Sequence, residues 1–265
     1  MESDRFARAA QAFERLCRVM AQLRAPGGCP WDAEQTLASL KPYLVEEAYE
    51  TLEAIERGDP RAHCEELGDL LLQVVFQSEI TAESNSFGAA EVALAIVDKL
   101  IRRHPHVFGD QKASDVSEAL HRWEAIKATE RAPEASCLDG VPRALPGLLR
   151  ALRTGEKAAA VGFDWPTTRG PIDKIEEEWR ELRQAVDNPD SPSEAIEEEI
   201  GDLIFSVVNF SRHLKIDPEE ALRRTIDKFQ TRFRHIERRL KEQDRTPKLA
   251  TLDEMDRLWE EAKRL

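Results

Sequence analysis

Aromatic residues make up only 6% of the chain, and glycine and proline, 12 and 14 of 265 residues, gather in a few short stretches. With 34% charged residues, that balance suits helices far better than strands, so the expected class is all-α. Cysteine is scarce too. Cys17, Cys29, Cys64 and Cys137 form no Cys-x-x-Cys pair, which leaves structural zinc without ligands and matches reduced cytosolic thiols. No apolar run approaches the roughly 18 residues of a membrane span, and the first residues are polar, with Glu2, Asp4 and Arg5. Positive charge is in deficit: 38 Lys and Arg face 51 Asp and Glu, a formal net charge of -13. A nonspecific grip on nucleic acid or on an anionic membrane is thereby excluded, and a phosphate-bearing ligand must be small or bridged by metal. A soluble, cytoplasmic protein is expected.

What the chain does have is a pattern written twice. Glu47-Ala-Tyr-Glu50 is answered by Glu178-Trp-Arg-Glu181, and Glu65-Glu66-Leu-Gly-Asp69 by Glu198-Glu199-Ile-Gly-Asp202. Asp98-Lys99-x-x-x-Arg103 returns as Asp227-Lys228-x-x-x-Arg232, and Trp123 with Lys127 as Trp259 with Lys263. Internal repetition of this kind marks related domains. Residues 131–147, rich in Pro and Gly, read as a linker between an N-terminal domain over 1–130 and a C-terminal one over 148–265. Helices are expected at about 4–24, 36–57, 61–84, 88–102 and 115–130, and again at about 144–160, 171–187, 194–215, 217–241 and 252–264. Two tandem helical bundles result. In the third helix of each half, Leu67, Leu71, Val74, Val75 and Ile200, Ile204, Val207, Val208 follow a helical stripe, expected to be core.

Residues three apart on a helix share a face, so Glu47 with Glu50 and Glu66 with Asp69 each form a two-carboxylate claw. Glu178 with Glu181 and Glu199 with Asp202 repeat it. The short connector Gly58-Asp59-Pro60 implies an antiparallel helix pair that brings both claws together. Like charges so close repel unless a hard divalent cation joins them, and all-oxygen ligands favour Mg2+ or Mn2+. A single Glu-x-x-Glu is usually a solvated helix face; two pairs on consecutive helices, repeated in the second half, are not expected by chance. From the residues alone Glu46, Glu65, Glu176, Glu177, Glu197 and Glu198 read as solvated. His104-Pro-His106 has no acidic or cysteine partner at suitable spacing and reads as loop packing. Trp31 and Trp165, beside the turns entering the first claw helices, are either structural or walls of a pocket.

Glu46-Glu47-x-x-Glu50 followed by Glu66-x-x-Asp69, and Glu177-Glu178-x-x-Glu181 followed by Glu199-x-x-Asp202, resemble the signature of MazG proteins. The resemblance extends to Gly28-Cys-Pro-Trp-Asp-x-Glu-Gln35, Arg102-Arg-His-Pro-His-Val-Phe108, Val161-Gly-Phe-Asp-Trp165 and Lys228-Phe-x-x-Arg232. It implies hydrolysis of nucleoside triphosphates to monophosphate and pyrophosphate by a metal-activated water, on an all-α homodimer. It also implies catalysis and metal binding by Glu178, Glu181, Glu199 and Asp202 in the C-terminal domain, with Glu47, Glu50, Glu66 and Asp69 as a second possible site in an N-terminal domain concerned with assembly or regulation. Substrate-binding positions by the same resemblance are Lys174, Glu177, Lys228 and Arg232, with Trp259 for the base and Lys127 for phosphate. Relatives can carry a lysine one turn before the third metal glutamate, where this chain has Ala195, which puts one phosphate contact in doubt. Two other readings stand beside this one. A carboxylate-bridged di-iron bundle would need two Glu-x-x-His motifs, of which only Glu118-x-x-His121 is present, and a non-catalytic nucleotide sensor would keep the claws without turnover.

Overall fold

The computed structural model describes residues 2–110, 115–130 and 136–264. Those residues form helices and turns without a strand, in two compact units, Met1–Arg131 and Ala132–Leu265. Part of the expected linker, residues 131–135, lies outside the described residues.

Unit 1 holds α1 (Glu2–Arg24), α2 (Pro30–Glu34), α3 (Lys41–Arg57), α4 (Pro60–Glu83), α5 (Ala89–Arg103), α6 (Pro105–Phe108) and α7 (Val116–Thr129). The hairpin α3–α4 is made by its connector. Gly58, at φ +65°, ends α3 in the left-handed conformation that suits glycine, and the Asp59 carboxylate accepts hydrogen bonds from the Arg61 and Ala62 N–H groups at 2.9 and 3.3 Å. Met20 of α1, Leu40, and Val75 and Phe76 of α4 form the buried centre, with Phe13, Leu16, Leu23, Leu72 and Ile80 around it. Arg24 fastens the edge of this core: its guanidinium donates to Glu83 at 2.6 and 2.7 Å and to the Asp32 and Gln35 carbonyls, and lies over the Phe76 ring.

Unit 2 holds α8 (Gly147–Ala160), α9 (Arg169–Asp187), α10 (Ser193–His213), α11 (Pro218–Lys241), a 3-10 turn (Pro247–Leu249) and α12 (Leu252–Ala262). Here α9 and α10 form the pair equivalent to α3 and α4, with α8 and α11 packed beside them. Asp217 caps α11 by accepting from Glu220 N at 3.0 Å, and the Thr251 hydroxyl caps α12 by accepting from Glu254 N at 3.3 Å. Leu152, Val208, Ile236 and Leu240 are buried.

Two expectations need correction. The helix expected from residue 36 begins at Lys41, because Thr36 and Ser39 exchange hydrogen bonds between hydroxyl and backbone N–H, at 2.9 and 3.2 Å, and hold residues 36–40 as a turn. Leu40, fully buried, anchors that turn in the core. The apolar stripe on the third helix is core only in part. Val75 and Val208 are buried, but Leu67, Leu71, Val74, Ile200, Ile204 and Val207 remain between 39% and 47% exposed. Helical spacing tells that the residues share a side of the helix, whereas the packing partners of each unit cover only one edge of that side.

Candidate metal centre

In unit 2 the first claw sits mid-helix on α9 and the second on the N-terminal half of α10, and the antiparallel pairing sets them against one another. Glu178, Glu199 and Asp202 each bring one carboxylate oxygen within 4.8 Å of the others. Glu181 groups instead with Glu177 and Glu178 at the same limit, so Glu178 is common to both trios. Glu178 is only 4% exposed, while Asp202 opens to solvent. Glu199 Oε2 is buried and has no hydrogen-bond donor. Desolvation, followed by the negative charges of Glu181, Glu178, Asp202 and Glu198, pushes the Glu199 carboxyl above the ordinary glutamate range. The groups acting on Glu199 thus include the other three claw carboxylates.

The cation present in this cluster is Lys174, one turn before Glu178 on α9. Its ammonium lies 2.6 Å from Glu178 and 2.8 Å from Glu177, which keeps the lysine firmly protonated and holds Glu177 below the usual range. Ala195, in the first turn of α10, offers no such group. The repeat puts Tyr43 where unit 2 has Lys174, and Tyr43 packs edge-on against Trp31 at 6.0 Å. The charge that steadies the unit 2 cluster is therefore missing at that place in unit 1.

Unit 1 nevertheless repeats the cluster itself. Glu47, Glu66 and Asp69 bring carboxylate oxygens within 4.8 Å of one another, each half-buried. Burial and the surrounding carboxylates raise both Glu47 and Glu66; Asp69 and Glu50 act on Glu47, and Glu50 and Asp69 on Glu66. Glu50 is felt electrostatically but stays outside the trio, as Glu181 stays outside that of Glu178, Glu199 and Asp202. Among the described residues, every group able to hold a metal is all-carboxylate, with no histidine. The side chain of His121, the candidate di-iron ligand, lies outside the described residues.

The remaining expected site residues form a separate cluster in each unit. On α11 and α12, the Arg232 guanidinium stands 5.5 Å from the Trp259 ring centre, and Phe229 backs that ring at 5.0 Å. Lys228 is exposed one turn before Arg232. In unit 1, Arg103 stands at the same 5.5 Å from Trp123, and the Lys127 ammonium at 4.5 Å from that ring. Each unit thus has an aromatic face flanked by cations as well as its carboxylate trio.

Three contacts are added by the structure, the second of them in line with the structural role expected as one alternative for Trp165. Asp164 is gripped by Arg212 through both carboxylate oxygens and approached by His213 Nε2 at 2.8 Å, which holds its pKa down to about 2 and ties the loop before α9 to the end of α10. Trp165 lies so close over Gly170 that a Cβ there would run into its indole, so this tryptophan packs against the start of α9. Arg102 and Arg103 converge on Glu130. The first and third join residues 48 and about 28 positions apart, beyond any local pattern. His104 and His106 face each other at 5.6 Å, with His104 Nδ1 2.7 Å from the Leu100 carbonyl, a local helix-end contact.

Against known proteins, the model of the MazG nucleotide pyrophosphohydrolase domain matches residues 35–108 and 169–237, which contain the two carboxylate hairpins and the helix after each. The chain is 46% identical over 260 residues to the nucleoside triphosphate pyrophosphohydrolase of Escherichia coli strain K12, covering 95% of this chain and 97% of that one. It is 45% identical over 252 residues to the nucleoside triphosphate pyrophosphohydrolase/pyrophosphatase MazG of Thermotoga maritima, covering 95% of each. An uncharacterised Bacillus subtilis protein, YabN, is 44% identical over 95% of this chain and 51% of its own length.

Proposed function

The chain belongs to the MazG nucleotide pyrophosphohydrolase family, and from that membership we propose that it hydrolyses nucleoside triphosphates to monophosphate and pyrophosphate at the carboxylate cluster of unit 2. The observation that carries the reading is Glu199, which brings a carboxylate oxygen within 4.8 Å of those of Glu178 and Asp202 and whose Oε2 is buried without a hydrogen-bond donor. A buried carboxylate oxygen facing other carboxylates is costly unless a cation sits there. The donor set fits a hard divalent ion, Mg2+ or Mn2+, held by Glu178, Glu199 and Asp202 with Glu181 completing the ring. Such an ion, when bound, supplies a Lewis acid for phosphate oxygens and a water of lowered pKa.

The chain's own residues do the rest. A claw carboxylate accepts the proton of the attacking water. Lys174, 2.6 Å from Glu178, would be free to turn toward phosphate oxygens once metal engages that carboxylate. Lys228 and Arg232 offset the charge that grows on the pyrophosphate leaving group. Trp259, kept upright by Phe229, offers a flat surface to the base without selecting among bases. Lys127 serves phosphate by analogy and sits on Trp123 within unit 1.

Unit 2 is the catalytic unit and unit 1 the assembly or regulatory one. The support is Lys174, whose place in unit 1 is taken by Tyr43. The half-exposed stripe of Ile200, Ile204 and Val207, with its counterpart in unit 1, is the surface of a homodimer. Among the described residues no helix is long and apolar enough to cross a membrane, and the acidic balance disfavours nucleic acid, in keeping with a cytoplasmic enzyme of the nucleotide pool. Pyrophosphate release, measured over the common ribo- and deoxyribonucleotides with Mg2+, tests the reading: release from at least one of them is expected, and none from any would overturn it.

A further inference from the structure

The two aromatic clamps differ in what their arginine holds. In each unit the arginine of the Lys-x-x-x-Arg pair stands 5.5 Å from the ring of the final-helix tryptophan. Unit 1 adds a second arginine, Arg102, where the repeat has Thr231. Arg102 Nε and Nη2 reach Glu130 Oε1 at 2.8 and 2.7 Å, while Arg103 Nε donates to Oε2 at 3.1 Å and Arg103 Nη2 makes a second bond to the same oxygen. One carboxylate is thus held through both oxygens by two guanidinium groups, at the edge of Trp123 and one turn from Lys127. Planar, paired N–H donors of this kind fit a phosphate equally well. The side chains of Arg103 and Glu130 are 17% and 23% exposed and that of Arg102 is 55% exposed. Glu130 is held down to about pH 2 and stays anionic throughout the physiological range. It stands on the turn after α7, where the backbone is not committed to a helix.

We propose that Glu130 is an internal stand-in for phosphate: Arg102, Arg103 and Trp123 form a nucleotide seat in unit 1, and the Glu130 carboxylate keeps that seat closed. The inference rests on the reading of Arg232 and Trp259 as nucleotide ligands in unit 2. In unit 2 Glu260, the residue after Trp259, feels Arg232 but is paired with Lys263, and Arg232 stands against its tryptophan. Unit 1 therefore has the parts of a nucleotide site in a state where an intramolecular anion competes with the ligand, which accounts for a domain that keeps its carboxylate trio yet serves regulation. A ligand of high enough concentration, or a partner that draws Glu130 away, opens it.

The test counts nucleotide bound per full-length chain, using the non-hydrolysable α,β-methylene analogue of ATP with Mg2+ and isothermal titration calorimetry. Glu130→Gln removes the competing charge and keeps the shape; Glu130→Ala removes both. Either variant is expected to bind one more equivalent per chain than the unmodified protein, and adding Arg103→Ala to it should abolish that extra equivalent. Unchanged stoichiometry in both variants overturns the seat. So does the melting of both below the assay temperature, because Glu130 would then be a strut and not a gate. The proposal is judged on the difference between variant and parent; a parent that binds no nucleotide at all counts against the unit 2 reading instead.

Discussion

Val207→Asp on α10 tests the exposed stripe as an interface without touching the carboxylates, since Val207 lies more than a turn beyond Asp202. Val207, Ile200 and Ile204 are each 45–47% exposed. Taking such a side chain from full exposure to full burial is favourable by about 1.5–3 kcal/mol, so covering the exposed half gives about 0.7–1.5 kcal/mol. Three residues on each of two copies then supply about 4–9 kcal/mol, against an association cost of about 4–15 kcal/mol. The stripe cannot be lost without consequence for the pair. An aspartate at 207 forfeits about 0.7 kcal/mol or more of burial per copy and adds about 1–3 kcal/mol for a carboxylate forced against apolar surface. Summed over two copies this is about 3 kcal/mol at least, a rise in dimer Kd of about 100-fold or more. In the separated chain the same side chain reaches water, so helix content and melting temperature should change little. Sedimentation equilibrium over a concentration series reads the Kd directly. A parent protein that sediments as a monomer at tens of micromolar, or a variant with the parent's Kd, would refute the reasoning.

Other expectations follow from single contacts. In chelator, the raised carboxyls of Glu47, Glu66 and Glu199 bind protons more tightly folded than unfolded, so lowering pH from neutral through their raised values stabilises the protein. Asp164 and Glu130 act oppositely: their stabilising contribution is present above the unfolded carboxyl range and is lost as pH falls toward about 2. Thermal melts against pH should therefore rise and then fall on acidification, and Mg2+ should raise the neutral end; a melting curve that only falls from neutral pH would contradict this. Gly170→Ala should destabilise unit 2 by about 1–2 kcal/mol in urea, since the new methyl collides with Trp165 and the helix-propensity gain offsets only part of that; a stabilised variant would show that Trp165 is not packed there. Asp164→Asn should cost about 1–2 kcal/mol by leaving Arg212 short of its charge partner, with no change in metal affinity; equal loss of metal would place the loop in the site.

How much of this was legible beforehand depended on distance along the chain. Glu178 and Glu181, or Glu199 and Asp202, are three apart, and helix geometry alone puts each pair on one face; the short connector Gly58-Asp59-Pro60 supplied the pairing of helices in unit 1 and the repeat carried it to unit 2. Lys174 was reached through the family resemblance as a substrate-binding position, and its contact with Glu177 and Glu178 was not legible. The exposure of Ile204 and Val207 was not legible, because spacing tells which residues lie together and not how many neighbours cover them. Asp164 with Arg212, and Arg102 and Arg103 with Glu130, join distant turns and helix ends, where no periodicity operates. The turn at Thr36–Leu40 had a signal that was passed over: two hydroxyl residues three apart ahead of Pro42, which favour a local turn over a helix.

The central claim is that the α9–α10 carboxylates hold the catalytic metal. Mg2+-dependent pyrophosphate release from a nucleoside triphosphate, compared between Glu178→Ala and Glu47→Ala in the full chain, tests it most directly. The account predicts that Glu178→Ala abolishes release while Glu47→Ala keeps most of it. Equal loss from the two, or release that persists in Glu178→Ala, would contradict it.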